Sequence, residues 1–429
     1  MPLTEIVVGR DIIDLEKYGT KGTIYLGRHL VGEGENANLT NPIMLDVARP
    51  HVMLICGKRG SGKSYTGCVI TEEILKLPEE IKNNLSVLLI DTQGIFWSLK
   101  NPNEKDIILL NQWGIKPQGF PVEVYIPKGL EEKFRKEDIP YDKVFTIKPS
   151  EFASEDWCLS FSISLIEPLG ILLDRSIKKI KSYTMDYTID DIIKTVGEDA
   201  LSEEKDKLAL INRFMSANEW GIFSKKGINI ENLIQPGKVS IIDVSFFSQI
   251  SETWSVRNLL VGLICRKVQQ ARTIARREEE METMAGFRKI KIPITWIIID
   301  EAHNFLPAEG KTASSDPLLS IIKEGRQPGI SCCLITQRPN KLHEDAISQA
   351  DVVIAHRLTA EQDLTALRSI MQTYLLFDIT KYIADLPRKP GSAIVLDDNS
   401  ERIYSMSVRP RQSWHSGGTP IAITEEGES

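Results

Sequence analysis

Six apolar runs set the rhythm of the chain: Val52-Met53-Leu54-Ile55-Cys56, Val87 to Asp91, Val239 to Asp243, Ile297 to Asp300, Cys332 to Thr336 and Val352 to Ala355. Short runs with so little polar alternation suit strands buried on both faces, as parallel strands are. Helix-length stretches separate them, which predicts an α/β fold: a mostly parallel sheet with helices on both faces. In such sheets ligands sit beyond the carboxyl ends of the strands. Three of the runs end in an aspartate, at Asp91, Asp243 and Asp300, so those carboxylates are placed where chemistry would occur.

Elsewhere the pattern changes. Residues 1–48 alternate short apolar pieces with glycines, as in Ile6-Val7-Val8-Gly9, Gly22 to Gly27 and Ile43-Met44-Leu45, and predict a small N-terminal β-barrel cap. The core then occupies 49–100 and 236–408. Residues 101–235 run through proline-rich connections into amphipathic stretches, Tyr187 to Thr195 and Lys205 to Phe214, and predict a mostly helical insertion. Residues 409–429 hold Gly417-Gly418 and an acidic end, and predict a flexible C-terminal tail or an arm that orders on a partner subunit.

Composition narrows the class. The 429 residues are 42% hydrophobic, enough for a large core, and carry a net charge of −7. That charge argues against a generally basic nucleic-acid coat, while a channel can still be locally positive. The six cysteines, Cys56, Cys68, Cys158, Cys265, Cys332 and Cys333, show no C-x-x-C spacing and lie mostly in apolar runs, so neither disulfides nor zinc are expected. Met1 to Arg10 lacks an apolar signal region, and no run reaches the roughly 18 to 20 apolar residues of a membrane span. A cytoplasmic location with no membrane partner is the expectation.

The chemistry concentrates between a strand and a helix. Gly57-Lys58-Arg59-Gly60-Ser61-Gly62-Lys63-Ser64 matches the P-loop pattern G-x-x-x-x-G-K-[ST] and leads into a helix near Tyr65. Glycines 57, 60 and 62, with Ser61, Arg59 and Tyr65, would wrap backbone N–H groups around the phosphates of ATP. Lys63 would reach the β- and γ-phosphates, and the Ser64 hydroxyl would ligate Mg²⁺. Trp296-Ile297-Ile298-Ile299-Asp300-Glu301 supplies the acidic half: Asp300 for the Mg²⁺ shell and Glu301 to polarise the attacking water. A strand-end Asp–Glu pair capping a helix is the bland alternative. His303 is equally a γ-phosphate contact or a structural histidine. Gln337, after the Cys332 run, is a candidate γ-phosphate sensor. Arg326, in Glu324-Gly325-Arg326-Gln327-Pro328, is a candidate arginine finger acting in trans, with Arg338 and Arg357 as competitors.

The order of these blocks, G-K-R-G-S-G-K-S, I-D-T-Q-G, V-S-I-I-D-V-S, I-I-I-D-E-A-H-N-F-L-P, E-G-R-Q-P-G and I-T-Q-R-P, resembles the HerA branch of the HerA/FtsK ATPases from about residue 20 to 410. The resemblance implies a RecA-like P-loop NTPase core with a β-barrel cap, a helical domain and an intersubunit brace. It also implies an ATP-driven, usually hexameric ring that threads double-stranded DNA and often works with a nuclease such as NurA or with an effector protein. On that match Lys63, Ser64, Asp300, Glu301, Gln337 and Arg326 take the site roles. There is one departure from the family's pattern: members commonly carry D-x-x-G-E after the second strand, whereas Asp91-Thr92-Gln93-Gly94 here is followed by Ile95. A partner-dependent regulatory or scaffold ATPase is therefore the alternative, with a conjugation or packaging motor behind it. Candidate DNA contacts are Lys311 and the series Arg266-Lys267, Arg272 and Arg276-Arg277, which Glu278, Glu279, Glu280 and Glu282 interrupt in the manner of a solvated face or subunit contact. No base-reading module is present, so DNA contact would be independent of sequence.

Overall fold

The structure is a computed structural model that describes residues 4–249, 254–286, 290–370 and 379–418. Thirteen strands among them form one sheet: β1 (Ile6–Val8), β2 (Thr23–Val31), β3 (Asn38–Asp46), β4 (Val52–Cys56), β5 (Leu85–Asp91), β6 (Val122–Pro127), β7 (Lys143–Phe145), β8 (Val239–Asp243), β9 (Ile294–Ile299), β10 (Ile330–Thr336), β11 (Val352–His356), β12 (Ser392–Asp397) and β13 (Arg402–Val408). Their order is β1-β3-β2-β13-β12-β11-β4-β10-β9-β5-β8-β6-β7. From β11 to β7 every pairing is parallel, and all six apolar runs of the sequence are strands of this block. Their side chains are buried on both faces, in two hydrophobic clusters either side of the sheet.

Among the described residues the N-terminal strands form no separate barrel. Strands β1 to β3 instead extend the open sheet, because β2 pairs antiparallel with β13, Val408 opposite Gly27 and Met406 opposite His29. Ile24, Leu26, Ile43 and Leu45 share a core cluster with Met53, Ile55, Val395 and Met406, so the strands bury their apolar face on the main domain. Gly27 makes the pairing possible: a Cβ there would lie 2.1 Å from the Ser407 carbonyl oxygen.

Residues 101–235 supply β6 and β7 and the helices Ser154–Phe161, Pro168–Lys181, Ile189–Gly197 and Glu204–Asn218. The helices pack around Trp157, whose ring lies 5.1 Å from Phe214 and 5.4 Å from Phe152. Among the described residues no helix is long and apolar enough to cross a membrane.

Residues 409–413, read from sequence as the start of a tail or intersubunit arm, are buried in their own chain. They cross the P-loop helix, Lys63–Leu75, where Glu72 accepts hydrogen bonds from Arg409 Nη2 (2.8 Å), Gln412 N (3.1 Å), Ser413 N (3.0 Å) and Ser413 Oγ (2.5 Å). Residues 419–429 of that expected tail lie outside the described residues.

Candidate nucleotide site

β4 lies inside the sheet, between β11 and β10, so the turn after Cys56 opens at the carboxyl edge. Gly60 (φ 75°) and Gly62 (φ 111°) take left-handed backbone conformations that side chains disfavour, and the helix starts at Lys63. Inside the loop the Lys58 carbonyl accepts from Ser61 N (3.2 Å), Ser61 Oγ (2.7 Å) and Lys63 Nζ (3.0 Å), which curls the chain on itself. Lys58, Arg59 and Gly60 form its exposed crown.

Two strands away, β9 ends at Ile299 and delivers Asp300. Ser64 Oγ donates to Asp300 Oδ1 at 3.3 Å. Glu301 follows with φ 50°, a left-handed conformation that costs a non-glycine residue about 1–2 kcal/mol. Gln337, one residue past β10, donates from Nε2 to Glu301 Oε1 at 3.2 Å. His303 Nδ1 stands 3.0 Å from Thr336 Oγ1 and 3.5 Å from Glu301 Oε2. The structure thus brings Lys63, Ser64, Asp300, Glu301, Gln337 and His303 together.

The electrostatics of the cluster are those of a site built for charge. Burial, reinforced by Glu301, pushes Asp300 up to about 7, against the pull of Lys63. Burial also raises Glu301 and lowers Lys63, and it takes His303 down to about 4, so that ring is neutral at physiological pH. Asp300 Oδ2 and Glu301 Oε2 are buried without a hydrogen-bond partner. A serine hydroxyl beside a carboxylate with an unpartnered oxygen is a hard-oxygen donor set that fits Mg²⁺.

Asp91 and Asp243, the other strand-end aspartates, are opposite each other in the β5–β8 register. Burial and Asp243 raise Asp91, yet its oxygens already accept from the N–H groups of Gln93 (3.0 Å), Gly94 (2.7 Å) and Phe96 (2.9 Å), so it shapes the turn. Asp243 accepts from Ser245 N (2.9 Å) and Oγ (2.6 Å). Ile95, in the turn that Asp91 holds, is half-buried, and its backbone carbonyl accepts from Ser416 Oγ at 2.9 Å.

Arg326 is not in this cluster. It is exposed between the helix Ser315–Glu324 and the start of β10, at the amino edge of the sheet, so the length of a seven-residue strand, roughly 23 Å, separates it from its own P-loop. There it lines a cavity of about 460 Å³ with Arg10, Asp46, Arg49 and Arg272. Arg338 and Arg357, by contrast, follow β10 and β11 at the P-loop edge. Tyr65 faces the chain's end: its hydroxyl accepts from Arg411 N at 2.5 Å and its ring meets His415 edge-on at 5.3 Å.

Most of the candidate DNA cations are tied into ion pairs, Arg276 with Glu280 among them, while Arg277 is exposed. Lys311 pairs with Asp316 (2.6 Å), Arg266 with Asp156 (2.8 Å), Lys267 with Glu151 (2.5 Å), and buried Arg272 with Glu279 (3.0 Å). The motifs gave no sign of three buried residues behind the P-loop, His356, Thr66 and Glu72; only the position of His356, directly after the apolar run Val352 to Ala355, marks it as a strand-end group.

The family model described as the central domain of the helicase HerA matches residues 24–268, more than half of the chain. The chain belongs to the HerA central-domain family. A second model, zonular occludens toxin (Zot), matches residues 256–365. Curated HerA relatives include the probable DNA double-strand break repair helicase HerA of Methanocaldococcus jannaschii, 22% identical over 71% of this chain and 61% of the relative. The DNA double-strand break repair helicase HerA of Sulfurisphaera tokodaii is 23% identical over 82% of this chain and 62% of its own length. The chain thus spans about three-fifths of these two HerA proteins. In fold it is similar to VirB4 of Thermoanaerobacter pseudethanolicus (TM-score 0.55, 12% identity, 90% of this chain and 97% of that one). It is likewise similar to the bacterial conjugative coupling protein TrwB (TM-score 0.53, 12% identity, 97% of each chain).

Proposed function

We propose that this HerA-family chain is the ATP-hydrolysing subunit of a ring, hexameric by the family's habit, that moves double-stranded DNA without sequence preference, in concert with a nuclease such as NurA or another effector. The observation that carries the reading is the Ser64–Asp300 contact with Gln337 held on Glu301: one carboxylate turned to the P-loop serine and a second presented beside it. Lys63 and the N–H groups of Gly57 to Tyr65 bind the phosphates, and the P-loop helix adds its N-terminal field. Ser64 and Asp300 hold Mg²⁺, which neutralises phosphate charge when bound. Glu301 takes the proton of the attacking water, and Gln337 orients that carboxylate. Arg326 lies too far from its own P-loop to serve it, which supports a finger reaching a neighbour's nucleotide.

ATP turnover with and without linear duplex DNA, read beside the mass in solution, tests this. DNA-stimulated turnover by a hexamer supports the translocating ring, and turnover indifferent to DNA overturns it. Glu301→Gln is expected to bind ATP with hydrolysis reduced about 10²–10⁴-fold, the range of a general base, whereas Lys63→Ala loses binding. Ile95, at the position where family members commonly carry a carboxylate, favours a second reading: an ATPase whose turnover waits for a partner enzyme. Addition of the partner, rather than DNA, would then raise the rate.

A further inference from the structure

The P-loop is held from behind by both ends of the segment that links β11 to β12. Its crown gains nothing from packing: Lys58, Arg59 and Gly60 are exposed, and a Cβ at Gly60 would meet no atom within 4 Å. Underneath, Lys58 N–H donates to the carbonyl of Arg357, just past β11, at 3.0 Å, and Gly391 N–H, just before β12, donates to the carbonyl of Ser61 at 3.1 Å. The side-chain link between them is His356. Fully buried, it has Nε2 2.9 Å from Thr66 Oγ1 on the P-loop helix and Nδ1 3.1 Å from the Ser392 carbonyl on β12. It also shapes the loop sterically: a Cβ at Gly57 would fall 2.6 Å from the His356 Cβ, and one at Gly62 would fall 3.4 Å from its Cε1.

The hydrogen positions follow from the partners. A carbonyl only accepts, so Nδ1 carries the proton given to Ser392. Burial takes the ring's pKa down to about 4, which leaves Nε2 unprotonated as an acceptor for the Thr66 hydroxyl. The Gly62 carbonyl, 3.0 Å from the same hydroxyl, is its competing acceptor and already receives Thr66 N–H at 2.9 Å.

We propose that His356 is a positioning residue of the nucleotide site: through its Nε2 link to Thr66 it fixes the P-loop in its phosphate-receiving curl before nucleotide arrives. A loop fixed in advance binds without the cost of ordering it. Removing the tether leaves every phosphate-contacting group in place and weakens binding. The proposal rests on the P-loop reading above and adds a residue to it.

The test is calorimetric titration of Mg-ADP into the full chain, with melting temperatures of the nucleotide-free proteins. A glutamine amide reaches the position of Nε2 and an asparagine amide that of Nδ1, so His356→Gln retains the Thr66 link and His356→Asn the Ser392 link alone. His356→Gln is expected to bind within twofold of wild type and His356→Asn about tenfold more weakly, with similar losses in melting temperature. A histidine that only fills space would make the two equal in affinity, and that result overturns the proposal. Thr66→Val, expected about tenfold weaker, and Thr66→Ser, expected near wild type, decide the matter if the His356 variants do not fold; equal binding by these two overturns it. Wild type that binds no Mg-ADP overturns the nucleotide-site reading and the proposal with it, whereas failure confined to the variants overturns the proposal alone.

Discussion

Asp300 is buried, ionisable and next to a second carboxylate, and its raised pKa has a thermodynamic sign. Between its unfolded value near 3.8 and its folded value of about 7, the folded state holds a proton that the unfolded chain has released, so this group's contribution to stability falls as pH rises through that window. Asp300→Asn should therefore raise the melting temperature of the nucleotide-free protein by a few degrees at pH 8 and by much less at pH 5, as differential scanning fluorimetry at the two pH values would read. The same substitution should abolish turnover, so stability and activity move in opposite directions. That Lys63, Ser64, Asp300 and Glu301 meet was legible in the sequence because a P-loop pattern and a strand-end Asp–Glu pair both belong at the carboxyl edge of one parallel sheet. His356 and Thr66 were not: they lie 290 positions apart, and their meeting depends on which strands are neighbours. Three strand-end aspartates also looked alike in the sequence, and the backbone N–H groups around Asp91 are what set it apart from Asp300.

At the scale of elements, the six buried parallel strands were readable because burial on both faces leaves a continuous apolar signature. The N-terminal strands misled for the opposite reason. Their alternation and glycines fit any half-buried β-structure, and the partner that makes them part of the sheet, β13, comes nearly 400 positions later in sequence for the Gly27–Val408 pair. Gly417-Gly418, few apolar groups and an acidic end likewise suggested a flexible tail or a partner-bound arm from residue 409, whereas Arg409 and Arg411 are buried against Glu72 on the P-loop helix, at 2.8 and 3.6 Å. Glu72→Ala would leave those two guanidinium groups buried without their shared carboxylate, with Glu73 alone 2.9 Å from Arg409. Breaking such a network typically costs about 3–5 kcal/mol, and a lower midpoint in urea unfolding should report it, with Glu72→Gln milder.

For the whole molecule, Arg326 and the P-loop lie at opposite edges of one sheet, so the finger proposed above would have to act on a neighbouring copy's loop. A mixing experiment follows. Lys63→Ala protein lacks a working nucleotide loop and Arg326→Ala protein lacks the finger, yet adjacent copies in a mixed ring would pair one intact loop with one intact arginine. Turnover of the mixture is expected to exceed the sum of the two variants assayed separately; additive rates would place the finger elsewhere, with Arg338 and Arg357 next to be tested. The network that closes over Glu72 has a consequence for how the molecule is made. Glu72 and Ser413 are 341 positions apart, and β2 waits for β13 in the same way. A nascent chain can form the helix that carries the nucleotide loop early in synthesis, but it cannot finish burying that helix until β13 and residues 409–413 have left the ribosome. Such distant contacts make folding slow and leave apolar edges uncovered meanwhile. Slow folding that draws on chaperones during translation is the expected consequence of these distant contacts.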